Sequence, residues 1–361
     1  MPESSLSPLA VTNSRPTLRV DNQEFAKLDQ LLLAMEMTEG EGGLSSLELR
    51  LSNFASDPSG GADFAFEDGT ILKLGATIAV YSGATGSPQE IFQGVITGLE
   101  AEFPEGAPPE LVVLAEDALQ QARMHRRTKI HNNTSIANLA RDLASQLSLT
   151  PVVTGLTDPI EAEVQLDESD LAFLRRLLRR YDADIQVVGK ELHVSPVQNV
   201  QRGLVELALN SQLIRARCIA DLSSQVTAST ATGWNAKDGS PVSASSSGSN
   251  FGPGAGKKGS ELLQSALGAR KEHVAGPPVG DSDEAQALAA TAFDQRARSF
   301  VRVEGVAQGN PALRAGTHVK LTGLGPRFTN TYYVMRAQHC YDLSNGYRTE
   351  FEAQCAYLGA P

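Results

Sequence analysis

The chain has 361 residues, 41% apolar and 20% charged, an ordinary globular balance with enough apolar material for two or three domains. A formal net charge of −11 argues against a general nucleic-acid-binding surface, which needs clustered Lys and Arg. Three widely spaced cysteines (Cys218, Cys340, Cys355) make no disulfide framework, so a reducing cytoplasm is the default; residues 1–20 show no basic stretch followed by an apolar one and no apolar run approaches eighteen residues, so neither secretion by a signal peptide nor membrane spanning is expected.

Residues 1–14 are rich in Ser and Pro and read as a flexible leader. Residues 15–118 read as a first β domain. In "LSSLELRLSNF", Leu47, Leu49 and Leu51 alternate with Glu48 and Arg50, the pattern of a half-buried strand. "ATIAVYSG", "EIFQGVITGLEAEF" and "PELVVLAED" follow at the spacing of barrel or sandwich strands. "FAKLDQLLLAMEMTEG" fits helix and strand equally well.

Residues 119–200 read as an α/β insertion. "NTSIANLARDLASQLSL" places Ile136, Leu139, Ala140, Leu143 and Leu147 at helical spacing, with Thr134 as the expected N-cap and Pro151 as the stop. A second helix carries Leu171, Leu174, Leu177, Leu178 and Tyr181 on its stripe, with Asp167 and Asp170 at its start. "DIQVVGKELHVSP" is a hairpin turning at Gly189-Lys190.

Residues 201–361 read as a second β domain, with strands in "LVELALN", "LIRARCIA" and "QVTASTATGWN". The Ser/Gly-rich stretch at 236–260 has no periodicity and is expected to be a mobile loop. A second loop, "VAGPPVGDSD", precedes a helix near 282–299, capped by Asp281, whose stripe is Ala285, Leu288, Ala289, Ala292 and Phe293. The chain closes on a strand in which Tyr347, Thr349, Phe351, Ala353, Cys355 and Tyr357 alternate with Arg348, Glu350, Glu352 and Gln354.

No motif in the chain supports chemistry. Aligned as a phosphate-binding loop, "FGPGAGKKGS" puts Phe251 at the first Gly position and Lys258 at the Ser/Thr position, and no apolar strand leads into it. His339 and Cys340 are strand neighbours and point to opposite faces; His318 is the one histidine that can approach His339 from a neighbouring strand, and nothing completes a metal set. Cys355 sits on an apolar face as a small buried hydrophobe. No G-x-S-x-G elbow occurs, and no acid pair for glycoside cleavage stands out by spacing. Arg175, Arg176, Arg179 and Arg180 form one basic helix face, read as solvated or salt-bridged at a subunit interface. "GLGPR" lacks dinucleotide-binding spacing, and its glycines serve turns with positive φ. The expectation is no catalytic residue, no cofactor and no metal.

The same residues carry a family resemblance. "NPALRAGTHVKLTGLGPRFTNTYYVMRAQHCYDLSNGYRTEF" resembles the C-terminal signature of the phage late control D proteins. It does so at Gly309, Asn310, Pro311, Gly316, Gly323, Tyr332, Tyr333, Val334, His339, Tyr341, Gly346, Tyr347, Thr349 and Phe351. "IFQGVITGLEAEFPEGAPPELVVLAED" and "TATGWNAKDG" resemble other segments of that family, in order. "DESDLAFLRRLLRRYDADIQV" is similar to a helix shared with the type VI secretion VgrG proteins. The resemblance spans about residues 15–358 and leaves the leader and the Ser/Gly stretch unmatched.

It implies two tube-like β-barrel domains per chain with a small α/β domain, assembled as a trimeric ring: a baseplate hub that joins a hexameric inner tube to a trimeric spike. The partners it implies are two further copies of the chain, the inner tube protein, wedge or LysM-type adaptor proteins, and tape measure protein or cargo in the channel. Specific nucleic acid and membrane insertion are not expected. Because the chain ends just after the hub region, a separate spike protein is expected. The location implied is the cytoplasm during assembly and then the particle. A tail-associated peptidoglycan hydrolase is the alternative.

Overall fold

The computed structural model describes residues 15–56, 62–82, 88–274 and 279–359. The leader at 1–14 and part of the loop before the last long helix lie outside the described residues. The first segment comprises β1 (Thr17–Val20), β2 (Gln23–Glu24), α1 (Ala26–Leu31), β3 (Leu32–Gly40), β4 (Ser46–Ser52), β5 (Phe54–Ser56), β6 (Ala62–Phe64), β7 (Thr77–Ser82), β8 (Gln89–Glu102) and β9 (Glu110–Glu116). The middle segment comprises α2 (Gln121–Met124), β10 (Arg126–Ser135), α3 (Ile136–Gln146), β11 (Thr150–Val153), β12 (Pro159–Ser169), α4 (Asp170–Arg180), β13 (Ala183–Val188) and β14 (Glu191–Pro196). The last comprises β15 (Leu204–Ala208), β16 (Leu213–Ala220), β17 (Ala228–Asn235), β18 (Ser240–Ser246), β19 (Lys257–Lys258), α5 (Gly259–Ala266), β20 (Lys271–His273), α6 (Ser282–Arg298), β21 (Val301–Gln308), β22 (His318–Thr322), α7 (Gly325–Phe328), β23 (Asn330–Asp342), β24 (Gly346–Cys355) and β25 (Tyr357–Leu358).

The fold is mainly β, and its frame is one 13-stranded sheet in the order β16-β21-β24-β23-β3-β4-β9-β8-β7-β1-β2, with β22 also pairing β23 and β15 pairing β22. The first and last segments therefore share a sheet. They meet where β3 pairs antiparallel with β23, from Arg336 opposite Gly40 to Asp342 opposite Ala34. On each side of that seam, four consecutive strands run antiparallel to their neighbours. Period-two alternation decides the two faces. Met35, Met37, Leu47, Leu49, Leu51, Val113 and Ala115 enter one core, which also takes in Tyr341 and Tyr347 from the last segment. Val303, Ala307, Tyr332, Val334, Phe351 and Ala353 form a second core.

The opposite face is polar. Across β16, β21, β24 and β23 it forms an open groove of about 370 Å³ lined by residues of those four strands alone, among them Arg217, Glu304, Glu352 and Arg336.

The stretch "FAKLDQLLLAMEMTEG" resolves into both alternatives, α1 followed by β3. In the middle segment the stripes of α3 and α4 bury Ile136, Ala140, Leu143, Leu171, Leu174, Leu177 and Leu178 against Ile185 and Leu192. The N-cap of α3 is Ser135, whose hydroxyl accepts from Asn138 N, and not Thr134. Thr134 is instead the penultimate residue of β10, paired with Ile160.

The expected mobile loop at 236–260 is corrected. Residues 240–246 form β18, paired along its length with β17. The Asp294 carboxylate on α6 accepts from Ser249 N and Asn250 N, both at 2.9 Å, and the Asn330 side chain accepts from Ala255 N at 3.1 Å. Low hydrophobicity was a poor guide because side chains distant in sequence, which a local composition argument does not see, satisfy the backbone polar groups.

Gly305 and Gly309 are spacing requirements. A Cβ on Gly305 would lie 2.3–2.9 Å from three atoms of the Phe351 ring. Gly305→Ala should lower stability by about 1–3 kcal/mol through overpacking. Chemical denaturation measures it, and an unchanged midpoint would show that Phe351 moves aside freely.

Candidate functional site: the seam between the sheet halves and the α/β segment

Glu39 carries a charge in the register of Met35 and Met37, and the fold buries it to 1% exposure. Arg314 answers it, with Nε donating to Oε1 at 2.7 Å, while Ala315 N donates to the same oxygen at 2.7 Å and Gln186 Nε2 to Oε2 at 3.2 Å. Burial by itself would raise this carboxyl; the Arg314 guanidinium and these hydrogen bonds outweigh it and hold Glu39 below the usual range. The ion pair thus ties β3 to the loop before β22, and Gln186 adds β13 of the middle segment.

Next to it the turn after β3 is gripped from the middle segment. Gly42 N donates to Asp184 Oδ1 at 2.7 Å, Arg175 Nη2 donates to Gly43 O at 2.7 Å, and Ser45 N donates to Asp117 Oδ2 at 2.6 Å. Gly43 has φ +69, and a Cβ there would meet Leu119 Cδ1 at 2.6 Å and Ile185 O at 2.8 Å, so only glycine fits. Asp184 also holds Arg202 at 3.2 Å, and Asp182 pairs with Arg298 at 2.6 Å. Gly42, Arg175, Asp182, Asp184 and Arg298 line an open cleft of about 450 Å³ that also takes in Glu41. Desolvation by the cleft walls, with Asp184 nearby, pushes Glu41 up to about 7.

The residues singled out in the sequence fall as follows. His339 is fully buried; burial and the Arg314 charge push it down to about 3, so it is neutral, and its Nδ1 shares a 2.7 Å hydrogen bond with the Tyr347 hydroxyl. His318 pairs with Tyr333, six positions along β23 from His339, which separates the two histidines by about 20 Å of strand. Cys340 lies on the opposite face from His339, half-buried, and burial pushes its thiol up to about 12, as it does that of buried Cys355. Neither thiol is a nucleophile near neutral pH.

Three of the four arginines on the basic face of α4 are spent internally. Arg175 holds the Gly42–Gly43 turn, Arg176 pairs with Glu168 and Glu163, and Arg180 pairs with Glu163. Gly256 and Lys257 belong to a packed segment in which β19 pairs with β25. Gly323 and Gly325 both have positive φ, around a turn and a one-turn helix. Among the described residues no group of three His, Cys, Asp or Glu side chains is close enough to hold a metal ion, and no helix is long and apolar enough to cross a membrane. The seam itself was missed at the sequence level. Its one available signal was a charged residue, Glu39, in step with apolar neighbours.

Residues 54–342 match the family model described as the Alg8 N-terminal domain, and the chain belongs to that family. Among solved structures, the fold is that of phage tail and type VI secretion proteins. A 43 kDa tail protein of prophage MuSo2 from Shewanella oneidensis is 12% identical with a TM-score of 0.68, over 94% of this chain and 97% of that one. An E. coli component of the type VI secretion system, described as structurally similar to T4 bacteriophage tail proteins gp27 and gp5, is 13% identical with a TM-score of 0.59, over 95% and 79%. A chain of the Francisella PdpA-VgrG complex is 9% identical with a TM-score of 0.53; here the alignment takes in 99% of this chain and 60% of that one. At these identities the likeness is one of fold. A search of curated proteins found no match.

Arg314→Met leaves a buried carboxylate without its counter-charge and should cost about 3–5 kcal/mol. Adding Glu39→Gln should recover much of that loss, and denaturation of the single and double variants measures it. The Asp117 carboxyl is raised from 3.8 to about 6, because burial outweighs the amides of Ser45 and Leu119 that donate to it. A folded pKa above the unfolded one means that the native state binds more protons in this window. Stability contributed by Asp117 is therefore full below about pH 4 and lost as pH rises to about 6. Asp117→Asn should flatten the stability profile between those limits, and an unaltered slope would refute the assignment.

Proposed function

We propose that the chain is the structural hub of a contractile phage tail or a tail-like injection system. In this reading three copies form a ring that adapts a hexameric inner tube to a trimeric spike. The observation that carries it is the single sheet in which four consecutive antiparallel strands, β3-β4-β9-β8 and β23-β24-β21-β16, flank the β3–β23 seam on each side, within seven strands from the first segment and six from the last. Two comparable four-strand units per chain give six in a trimer, which is the conversion between sixfold and threefold contacts that such a junction needs. The likeness in fold to tail proteins supports this reading, and so does the burial of His339 and Cys355 away from any reactive arrangement.

The polar face is then the channel wall. It is a ladder of paired charges rather than a uniformly acidic surface: Arg217–Glu304 at 3.4 Å, Arg336–Glu352 at 3.2 Å and Arg50–Glu48 at 3.2 Å. Such a lining offers passing cargo neither an apolar patch nor one unpaired sign of charge. The proposed partners are the inner tube protein, a separate spike, wedge or LysM-type adaptors, and tape measure protein or cargo in the channel. Assembly takes place in the cytoplasm.

Native mass measurement of the oligomer, with imaging of the assembled particle, tests the proposal. A threefold ring with both strand units around one channel is expected. A dimeric native assembly, or a ring in which the polar face points outward, would sink it.

A further inference from the structure

The cleft of about 450 Å³ beside the seam is walled by all three segments, and its charges are unequally matched. Asp182 holds Arg298, Asp184 holds Arg202, and the carbonyls of Gly42 and Gly43 take the Arg175 guanidinium. Glu41 is different. It is open to solvent and forms no ion pair among the described residues.

Two neutral groups beside it are also left alone. Gln354 lines the cleft and is only 6% exposed, yet its side-chain amide has no hydrogen-bond partner among the described residues. Tyr333 faces Gln354 from β23 and is 2% exposed; its hydroxyl lies beside Glu41 without completing a hydrogen bond. Buried polar groups in a folded chain are nearly always paired, so these point to a missing partner. A water needs only about 10–15 Å³ of such space, and the cleft therefore has room for an organic group.

The neighbours decide the sign of that group. Asp184 and Asp182 both act to raise the Glu41 carboxyl, and Arg298, the base that opposes them, is already paired. Arg175 and Arg179, on α4, are not among the charges that act most strongly on Glu41. An anion beside Glu41 would add a further negative charge, whereas a cation would supply the one that is lacking. The rest of the wall suits a cation with a stem. Leu178, Ala183, Ile185 and Val197 also line the cleft. Arginine and lysine side chains lay their methylenes along such surface and keep the charged head at polar groups.

We infer that this cleft binds an alkyl cation, a guanidinium or ammonium head on a short apolar stem. Glu41 is its counter-charge, Gln354 and Tyr333 are its hydrogen-bond partners, and Leu178 and Val197 flank its stem. A basic side chain of another polypeptide and a free alkylguanidine share this chemistry. The site needs no particular number of copies, so it stands or falls apart from the hub reading.

The test titrates the full chain with N-acetyl-arginine amide, butylguanidine and N-acetyl-citrulline amide, in which a neutral urea replaces the guanidinium. Calorimetry reads the binding. Probes of this size should bind with dissociation constants of about a millimolar. The citrulline probe should bind at least about tenfold more weakly, and Glu41→Gln should weaken the two cations by a similar factor. Glu41 must be ionised to pair, and in the empty cleft its carboxyl lies at about 7. The guanidinium stays charged throughout, so both cations should bind about tenfold more tightly near pH 8 than near pH 6. Gln354→Leu should weaken binding and leave that pH dependence in place. Thermal unfolding of each variant establishes that it folds. Equal binding of both cations supports the inference and means that the cleft admits a side chain carried on a backbone; binding of butylguanidine alone supports it with a free small cation as the ligand. Equal binding of the citrulline probe, indifference to Glu41→Gln and to pH, or no binding of any probe up to its solubility limit overturns it.

Discussion

The molecule depends on the pairing of β3 with β23, two strands that lie about three hundred residues apart in the chain. Bringing them together carries the loop-closure cost of a long-range contact, and a ladder of seven facing residue pairs with a buried ion pair offsets it. Glu39 and Arg314 are a poor source of net stability, because both must leave water. Their effect is on register. A one-residue slip of β3 would turn Glu39 away from Arg314 and put Glu36 and Thr38 into the core beside Leu47 and Leu49. With the pairing in place, two four-strand units become one continuous sheet; without it, each would expose an edge of its own.

The α/β segment is fastened to this seam through the turn after β3. Arg175 holds the carbonyls of Gly42 and Gly43, Asp184 and Asp117 hold the amides of Gly42 and Ser45, and Gly43 allows the close approach. The helix that supplies Arg175 has the densest basic composition in the chain, yet three of its four arginines bind groups within the same molecule. Charge density on a helix face was therefore a sign of internal bracing rather than of a ligand.

Four buried polar groups share a second property, one that Glu41 and Asp117 do not: their titration is moved out of useful range. His339 is held neutral, the thiols of Cys340 and Cys355 are held protonated, and Glu39 is held ionised. Groups arranged in this way specify a shape. A general base or nucleophile needs the opposite, a pKa near the working pH and access to substrate.

Local periodicity was enough to read the helices α3, α4 and α6, the Leu47–Leu51 strand, the Gly189 hairpin and the buried face of β24, because each depends on side chains a few residues apart. The same kind of reading placed the α3 cap one residue early, on Thr134, since the hydroxyls of Thr134 and Ser135 are chemically alike and only backbone geometry separates them. It took 236–260 for a mobile loop, since the partners that hold it, Asp294 and Asn330, are tens of residues away. Nothing in the order of the residues indicated that β3 and β23 are neighbours, or that Glu41 and Gln354 line one cleft. Strand order and shared clefts follow from which distant backbones meet, and that was decided by burying two apolar faces and one ion pair at once in the folded chain.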